Sequence, residues 1–240
     1  PEYMMNPDGI EFYGDVNFMK AGLNYADYIT TVSPSYADEI KTTYFGEKLD
    51  GVLNKRSDKF EGILNGIDYQ IYSPSSDKNI FENYDIDSIE KKSINKLELQ
   101  KILGLPQDES IMMIGMVTRL VSQKGLDLVA HVMKEILDLN VQFVLLGTGD
   151  EKYHNTFHYY SITYPQKCSV KLVFDNTLAQ RIYAASDLFL MPSEFEPCGI
   201  GQLISLRYGT LPLVRETGGL KDTIIPYDKN KLTGNGFSFA

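Results

Sequence analysis

Two cations stand close together in the run Thr118-Arg119-Leu-Val-Ser-Gln-Lys124-Gly125, between an apolar stretch and an amphipathic one. At a strand's end beside a helix N-terminus, such a pair can receive a multiply charged anion, although the run reads equally well as a solvated loop. A second run, Pro192-Ser-Glu-Phe-Glu196-Pro-Cys198-Gly199-Ile200-Gly201-Gln202, joins a carboxylate to glycines whose backbone N–H groups can approach a phosphate. A third, Arg215-Glu-Thr217-Gly218-Gly219-Leu220-Lys-Asp222, is glycine-rich again and alone is a common turn. Gly147-Thr-Gly149-Asp150 opens like a dinucleotide fingerprint, but Lys152 stands where the third glycine belongs, so a tight turn is the better reading. Cys198 invites a nucleophile reading, yet His131, His154 and His158 lie elsewhere in the chain, and a structural or substrate-lining thiol is favoured. His154 and His158 have the i, i+4 spacing of metal ligands without an HExxH or a third ligand, so no metal site is expected. The phosphate-loop pattern GxxxxGK[ST] does not occur.

Positioning these runs requires strands that end where the loops begin. From Lys96 onward the pattern alternates: helix over 96–103, strand over 111–117, amphipathic helix over 125–139, strand over 141–146 and helix over 153–164. It continues with a strand over 170–174, a helix over 178–185, a strand over 188–191, a helix over 200–208 and a strand over 211–214. Repeated β-α order with continuous apolar strands predicts a parallel, doubly wound sheet, which binds ligands at the carboxyl ends of its strands. The first third is less regular. A helix is expected over 18–28, a short strand over 28–32, a helix capped by Ser35, and a strand over 62–68 turning at Asn65-Gly66. Residues 73–93, rich in Ser, Asp, Asn and Lys, read as a surface excursion or linker, with a domain boundary near Asn65.

The 240 residues are 43% apolar and 23% charged, which excludes disordered and low-complexity classes. The formal net charge of -9 repels phosphate backbones and anionic membranes, so neither nucleic acid nor membrane is an expected partner. Two cysteines make no disulfide framework, no glycosylation sequon occurs, and no apolar run is long enough to cross a bilayer; the expected compartment is the cytoplasm. The chain opens at Pro1 and stops on the strand-like Phe237-Ser-Phe-Ala240, as a piece of a longer protein would.

Taken together, residues 119–128, 192–202 and 208–223 resemble the C-terminal half of bacterial glycogen synthases and plant starch synthases, with FEPCGIGQL and VRETGGLKDT as the specific signature. The runs FMKAGLNYADYITTVS and LNGIDYQIYSP extend the resemblance almost end to end. It implies the GT-B fold: residues 1–64 would end an N-terminal, acceptor-side domain and hinge, and 65–240 would form a Rossmann-like donor-nucleotide domain truncated at its end. It also implies transfer of glucose from ADP-glucose, or UDP-glucose, to the non-reducing end of an α-1,4-glucan, with retention and with neither metal nor cofactor. By position, Arg119 and Lys124 would hold the donor diphosphate, and Glu196 would position the sugar and stabilise charge. The N–H groups of Gly199, Ile200 and Gly201 would meet phosphate, Phe174 the adenine, and Asn65 the sugar. Cys198, Thr217 and Gly218 complete the candidate binding residues. Many related transferases carry a second glutamate eight residues after the first; here that position is Ile204, which points to the glycogen and starch synthase branch. Gly201 replaces a hydroxyl residue of some members. The family's N-terminal domain, with its Lys-x-Gly-Gly-Leu loop, has no counterpart here, so this chain alone is expected to be inactive. Another retaining GT-B transferase and a non-catalytic nucleotide- or glucan-binding module are the alternatives.

Overall fold

The computed structural model describes residues 2–240 as two compact units. One holds the chain up to Asn65 together with Glu196–Cys198 and Thr217–Asp222; the other holds Gly66–Phe195, Gly199–Glu216 and Thr223–Ala240.

In the first unit β1 (Glu11–Phe12) and β2 (Asp15–Val16) form a small hairpin before α1 (Phe18–Tyr25), whose N-terminus Asn17 caps by accepting from the Lys20 N–H. Strand β3 (Ile29–Thr31) leads into α2 (Pro34–Glu39), followed by α3 (Asp50–Lys55) and by β4 (Phe60–Gly62), which pairs parallel to β3. Two expectations fail here. Ser33, not Ser35, caps α2, accepting from the Tyr36 N–H. Proline is suited to the first helical position and lacks an N–H, so the cap must precede Pro34. The strand expected over 62–68 instead ends at Gly62, because β3 stops at Thr31 and the proline after Ser33 offers no N–H to prolong the ladder. Lys20 is buried, and its Nζ donates to the carbonyls of Pro7 and Glu11, both at 2.6 Å, which pins the hairpin to α1.

The second unit is a β/α sandwich. Its elements are α4 (Lys92–Leu103), β5 (Met112–Val117), α5 (Leu126–Asp138), β6 (Val141–Leu146), α6 (Glu151–Thr163), β7 (Cys168–Lys171) and α7 (Asn176–Ala185). There follow β8 (Leu188–Met191), α8 (Gly201–Arg207), β9 (Leu211–Arg215) and β10 (Phe237–Phe239), while the short α9 (Gly218–Thr223) falls in the first unit except for its last residue. Six strands run parallel in the order β10-β9-β8-β5-β6-β7. The chain therefore winds outward from β5 through β6 and β7, then returns to the other side of β5 to place β8. That reversal opens a crevice at the carboxyl ends of β5 and β8.

Burial follows the expected pattern. All six residues of β6 are buried, as a central parallel strand requires. Leu126, Val129, Met133 and Leu137 of α5 join Tyr153 and Phe157 of α6 against Met116, Phe143 and Leu145 on one face. On the other face Leu99, Leu178 and Ile182 cover Met113, Val144 and Leu146. Each such side chain contributes about 1.5–3 kcal/mol on burial. The strand expected over 170–174 runs instead from Cys168 to Lys171, in register with Phe143–Leu146, because its span is set by the length of β6.

Residues 73–93 are not a loose excursion. Ser73, Asp77, Ile80 and Tyr84 are buried, and Ile80 and Tyr84 pack with Tyr183, Phe189, Ile204 and Tyr208. Tyr208 Oη donates to Asp77 (2.6 Å), and Tyr84 Oη donates to the Tyr208 carbonyl (2.8 Å). The polar composition hid two apolar anchors, one aliphatic and one aromatic. Next to them, Lys92 Nζ donates to the carbonyls of Ala184 (2.7 Å) and Tyr208 (3.2 Å) and to Thr210 Oγ1 (2.7 Å), so one ammonium serves the C-terminal ends of α7 and α8. Burial pulls its pKa from 10.5 down to about 7, opposed by Asp187. Between those values unfolding takes up a proton, so raising the pH favours the folded state; below about 7 both states are charged and the effect is flat. A Lys92→Met variant should flatten the rise of melting temperature with pH between about 7.5 and 9.5. An unchanged slope would remove Lys92 from the linkage. Among the described residues no helix is long and apolar enough to cross a membrane.

Candidate functional site

The crevice predicted by strand order is where the cationic run emerges. Thr118 and Arg119 leave β5 directly, and the loop is laced to the one after β6: the Leu120 N–H donates to the Thr148 carbonyl (2.8 Å), and the Asp150 N–H to the Leu120 carbonyl (2.7 Å). His154 supports the same loop, its Nε2 accepting from the Gly149 N–H (3.1 Å). Beside these loops lies a pocket of about 230 Å³, walled by the apolar Val117, Leu146, Val173 and Ala179, with Thr118, Arg119, Thr148 and Asn176 at its polar edge. Phe174 stands at this pocket 85% exposed. Its loop is held by Asp175, which caps α7 by accepting from the Leu178 N–H (2.9 Å). A large aromatic ring left in water beside an apolar slot is shaped to cover a planar ligand. The structure thus brings Arg119 and Phe174 to one pocket.

The remainder of the cationic run is fixed from the other side of the crevice. Residues Ser122–Lys124 form a tight 3-10 turn ending at Gly125, which opens α5 at φ +67°. A Cβ on Gly125 would lie 1.9 Å from the Pro192 carbonyl oxygen, so the turn's backbone rests directly on the segment after β8. Gln123 tightens that contact, its carbonyl accepting from the Glu194 N–H (2.9 Å) and its Nε2 donating to the Phe195 carbonyl (3.2 Å). The Arg119 guanidinium forms no ion pair, and the N–H groups of Gly199, Ile200 and Gly201 donate to no group, among the described residues. Free cationic and N–H donors at the carboxyl ends of β5 and β8 suit an anion. Nothing in the sequence singled out Gln123, Thr148, Asp175 or Asn176.

Glu196, Cys198, Thr217 and Gly218 come together in the first unit. The Gly219 N–H donates to the Glu196 carbonyl (3.0 Å), a Cβ on Gly218 would lie 2.1 Å from that same oxygen, and one on Gly219 would lie 2.3 Å from Cys198 Cα. Two loops, one of which reads alone as a common turn, are therefore pressed backbone to backbone, and only glycine permits it at Gly218 and Gly219. Glu196 and Cys198 are both buried. Asn65 lies exposed beyond β4 and, among the described residues, makes no hydrogen bond to this group. The other thiol, Cys168, is raised by burial to about 12 and is no nucleophile. Ile204 is buried among Tyr183, Phe189 and Tyr208. No cluster of three metal-ligating side chains occurs among the described residues.

The sequence profile of the starch synthase catalytic domain matches residues 1–55, and that of glycosyl transferases group 1 matches residues 95–240. A glycogen synthase of Thermosipho melanesiensis is 59% identical over 240 residues, 100% of this chain and 50% of that protein. One from Clostridioides difficile is 59% identical over 238 residues, 99% of this chain and 49% of that protein. Among solved structures, the catalytic domain of starch synthase IV from Arabidopsis thaliana, bound to ADP and acarbose, is similar with a TM-score of 0.93 and 38% identity, over 99% of this chain and 50% of that one. HepE of Anabaena, in complex with UDP and glucose, shares the fold at a TM-score of 0.62 and 17% identity, over 92% of this chain and 51% of that one. The chain spans about half the length of the curated relatives it matches.

Proposed function

This chain belongs to the group 1 glycosyl transferases, and from that premise we propose that it forms the donor-nucleotide half of a glycogen synthase. Its second unit has the α/β, Rossmann-like sheet of GT-B transferases. The proposed reaction moves glucose from ADP-glucose to the non-reducing end of an α-1,4-glucan with retention of configuration, in the cytoplasm.

The observation that carries this reading is the pocket shared by Phe174 and Arg119. Phe174 would lie against the base, and the diphosphate would then reach toward Arg119, Lys124 and the N–H groups of residues 199–201. As the bond from anomeric carbon to phosphate oxygen breaks, charge collects on the leaving diphosphate, and donors already fixed in place stabilise it without reorganising. Glu196 would position the glucosyl unit and offset its developing positive charge. Thr217 and Gly218 would shape the wall behind Glu196, Cys198 would line it, and Asn65 would contact the sugar. Adenine is favoured over uracil because the Arabidopsis starch synthase, 38% identical over almost the whole chain, was solved with ADP. Residues 1–64 would close the acceptor-side domain.

The test is turnover by the full-length protein with a maltooligosaccharide and either ADP-glucose or UDP-glucose, product configuration being read by proton NMR. Chain elongation with ADP-glucose at least about tenfold more efficient than with UDP-glucose is expected. Nucleotide binding without turnover of either donor would instead indicate a non-catalytic binding module. Base stacking is worth about 1–3 kcal/mol, so Phe174→Ala should weaken ADP binding by about tenfold or more in calorimetric titration. An unchanged affinity would remove Phe174 from the base site.

A further inference from the structure

Helix α2 and the loop Thr217–Asp222 exchange carboxylates. Asp222 accepts from the Ser35 N–H (2.8 Å) and the Ser35 hydroxyl (2.5 Å), at the N-terminal end of α2. In return Glu39, at the C-terminal end of α2, accepts from the Gly218 N–H (2.7 Å) with Thr217 Oγ1 at 3.4 Å, at the N-terminal end of α9. Each carboxylate thus meets unpaired N–H groups at the start of the partner helix, the end that favours negative charge. The loop held in this way is the one whose Gly219 N–H grips the Glu196 carbonyl.

We propose that Glu39 is a positioning residue for Glu196, acting through the Gly218-Gly219 backbone. This deepens the glycogen synthase reading and rests on it for its kinetic consequences. The chain of contacts is short: the Glu39 carboxylate fixes the Gly218 N–H, the next N–H fixes the Glu196 carbonyl, and the backbone of Glu196 sets the direction of its side chain. Each link is a charge-assisted or backbone hydrogen bond of 2.7–3.0 Å. Nor is Glu39 placed as packing alone would place it. Its second carboxylate oxygen is buried without a hydrogen-bond partner among the described residues, a cost that the fold bears to keep an acceptor at Gly218.

The experiment compares Glu39→Ala and Glu39→Gln in the full-length protein by steady-state kinetics and by amide hydrogen exchange over residues 217–220. Glutamine keeps an oxygen that can accept from Gly218; alanine does not. With Glu39→Ala, kcat should fall about 10–100-fold while KM for the nucleotide sugar stays within about threefold, and amides 217–220 should exchange faster. Glu39→Gln should restore kcat to within about threefold and normal exchange. Exchange left unchanged by Glu39→Ala would overturn the proposal, as would an equal loss of kcat in both variants. If the unaltered protein makes no glucan, the functional reading fails by itself, and the exchange comparison still decides whether Glu39 holds this loop.

Discussion

Replacing Arg119 and Lys124 together by alanine lowers kcat about a thousandfold or more in the full-length protein, with a much smaller effect on acceptor KM. One preorganised donor aimed at developing charge is worth about 10²–10³ in kcat, and two acting on one diphosphate combine less than additively. Their geometry supports an effect on the chemical step. Arg119 leaves β5 at a loop tied to Thr148 and Asp150, and Lys124 sits in a turn docked on Pro192, Glu194 and Phe195. Neither backbone needs to move when charge appears. Steady-state kinetics with ADP-glucose checks this, and a loss below about tenfold would assign the diphosphate elsewhere.

Gly125→Ala destabilises the protein by about 3 kcal/mol or more, and Gly104→Ala by only about 1 kcal/mol. Both glycines have positive φ, +67° and +74°, so both substitutions bear the same backbone penalty. They differ in what surrounds them. A Cβ at Gly104 meets nothing within 4 Å, whereas at Gly125 it meets the Pro192 carbonyl oxygen at 1.9 Å and its carbon at 2.7 Å. Those are backbone atoms of the crevice, so relief of the clash displaces the turn that carries Lys124. For a domain of this size the difference corresponds to a melting temperature about 4–8 °C lower for Gly125→Ala than for Gly104→Ala. Equal melting temperatures would show that the turn can move away from Pro192 at no cost.

The β/α order was legible because periodicity is local. Apolar runs such as Val141–Leu146 and the stripe Leu126, Val129, Met133, Leu137 each carry their own signal. Strand order then follows from the doubly wound pattern, and with it the crevice. What the sequence hid was non-local. Residues 73–93 look like linker by composition, yet Ile80 and Tyr84 are buried through contacts with residues about a hundred positions later. Phe174 was singled out only through family resemblance, since an aromatic residue just beyond a short strand has no periodic signature. Glu39 carried no signal, and Asp222 only as the end of a glycine-rich run, because a carboxylate at a distant helix N-terminus looks like any surface acid. At α2 either Ser33 or Ser35 offers a capping hydroxyl, and Pro34, suited to the first helical position, decides for its predecessor Ser33.

The union of α2 with the Glu196 and Gly218 loops also sets an order of events during synthesis. Glu39 and Gly218 are separated by 179 positions. At 5–20 residues per second a ribosome needs roughly 10 to 35 s to travel from one to the other. For that interval α2, only six residues long, lacks the partners that hold it, and a helix so short has little stability of its own. The sheet from β5 to β8 can form from neighbouring segments as they emerge, whereas the surroundings of Glu196 wait for the loop that starts at Thr217. Assembly at this site therefore follows formation of the sheet, and a nascent chain stopped short of Thr217 would carry strands β5 to β8 and an unassembled carboxylate loop.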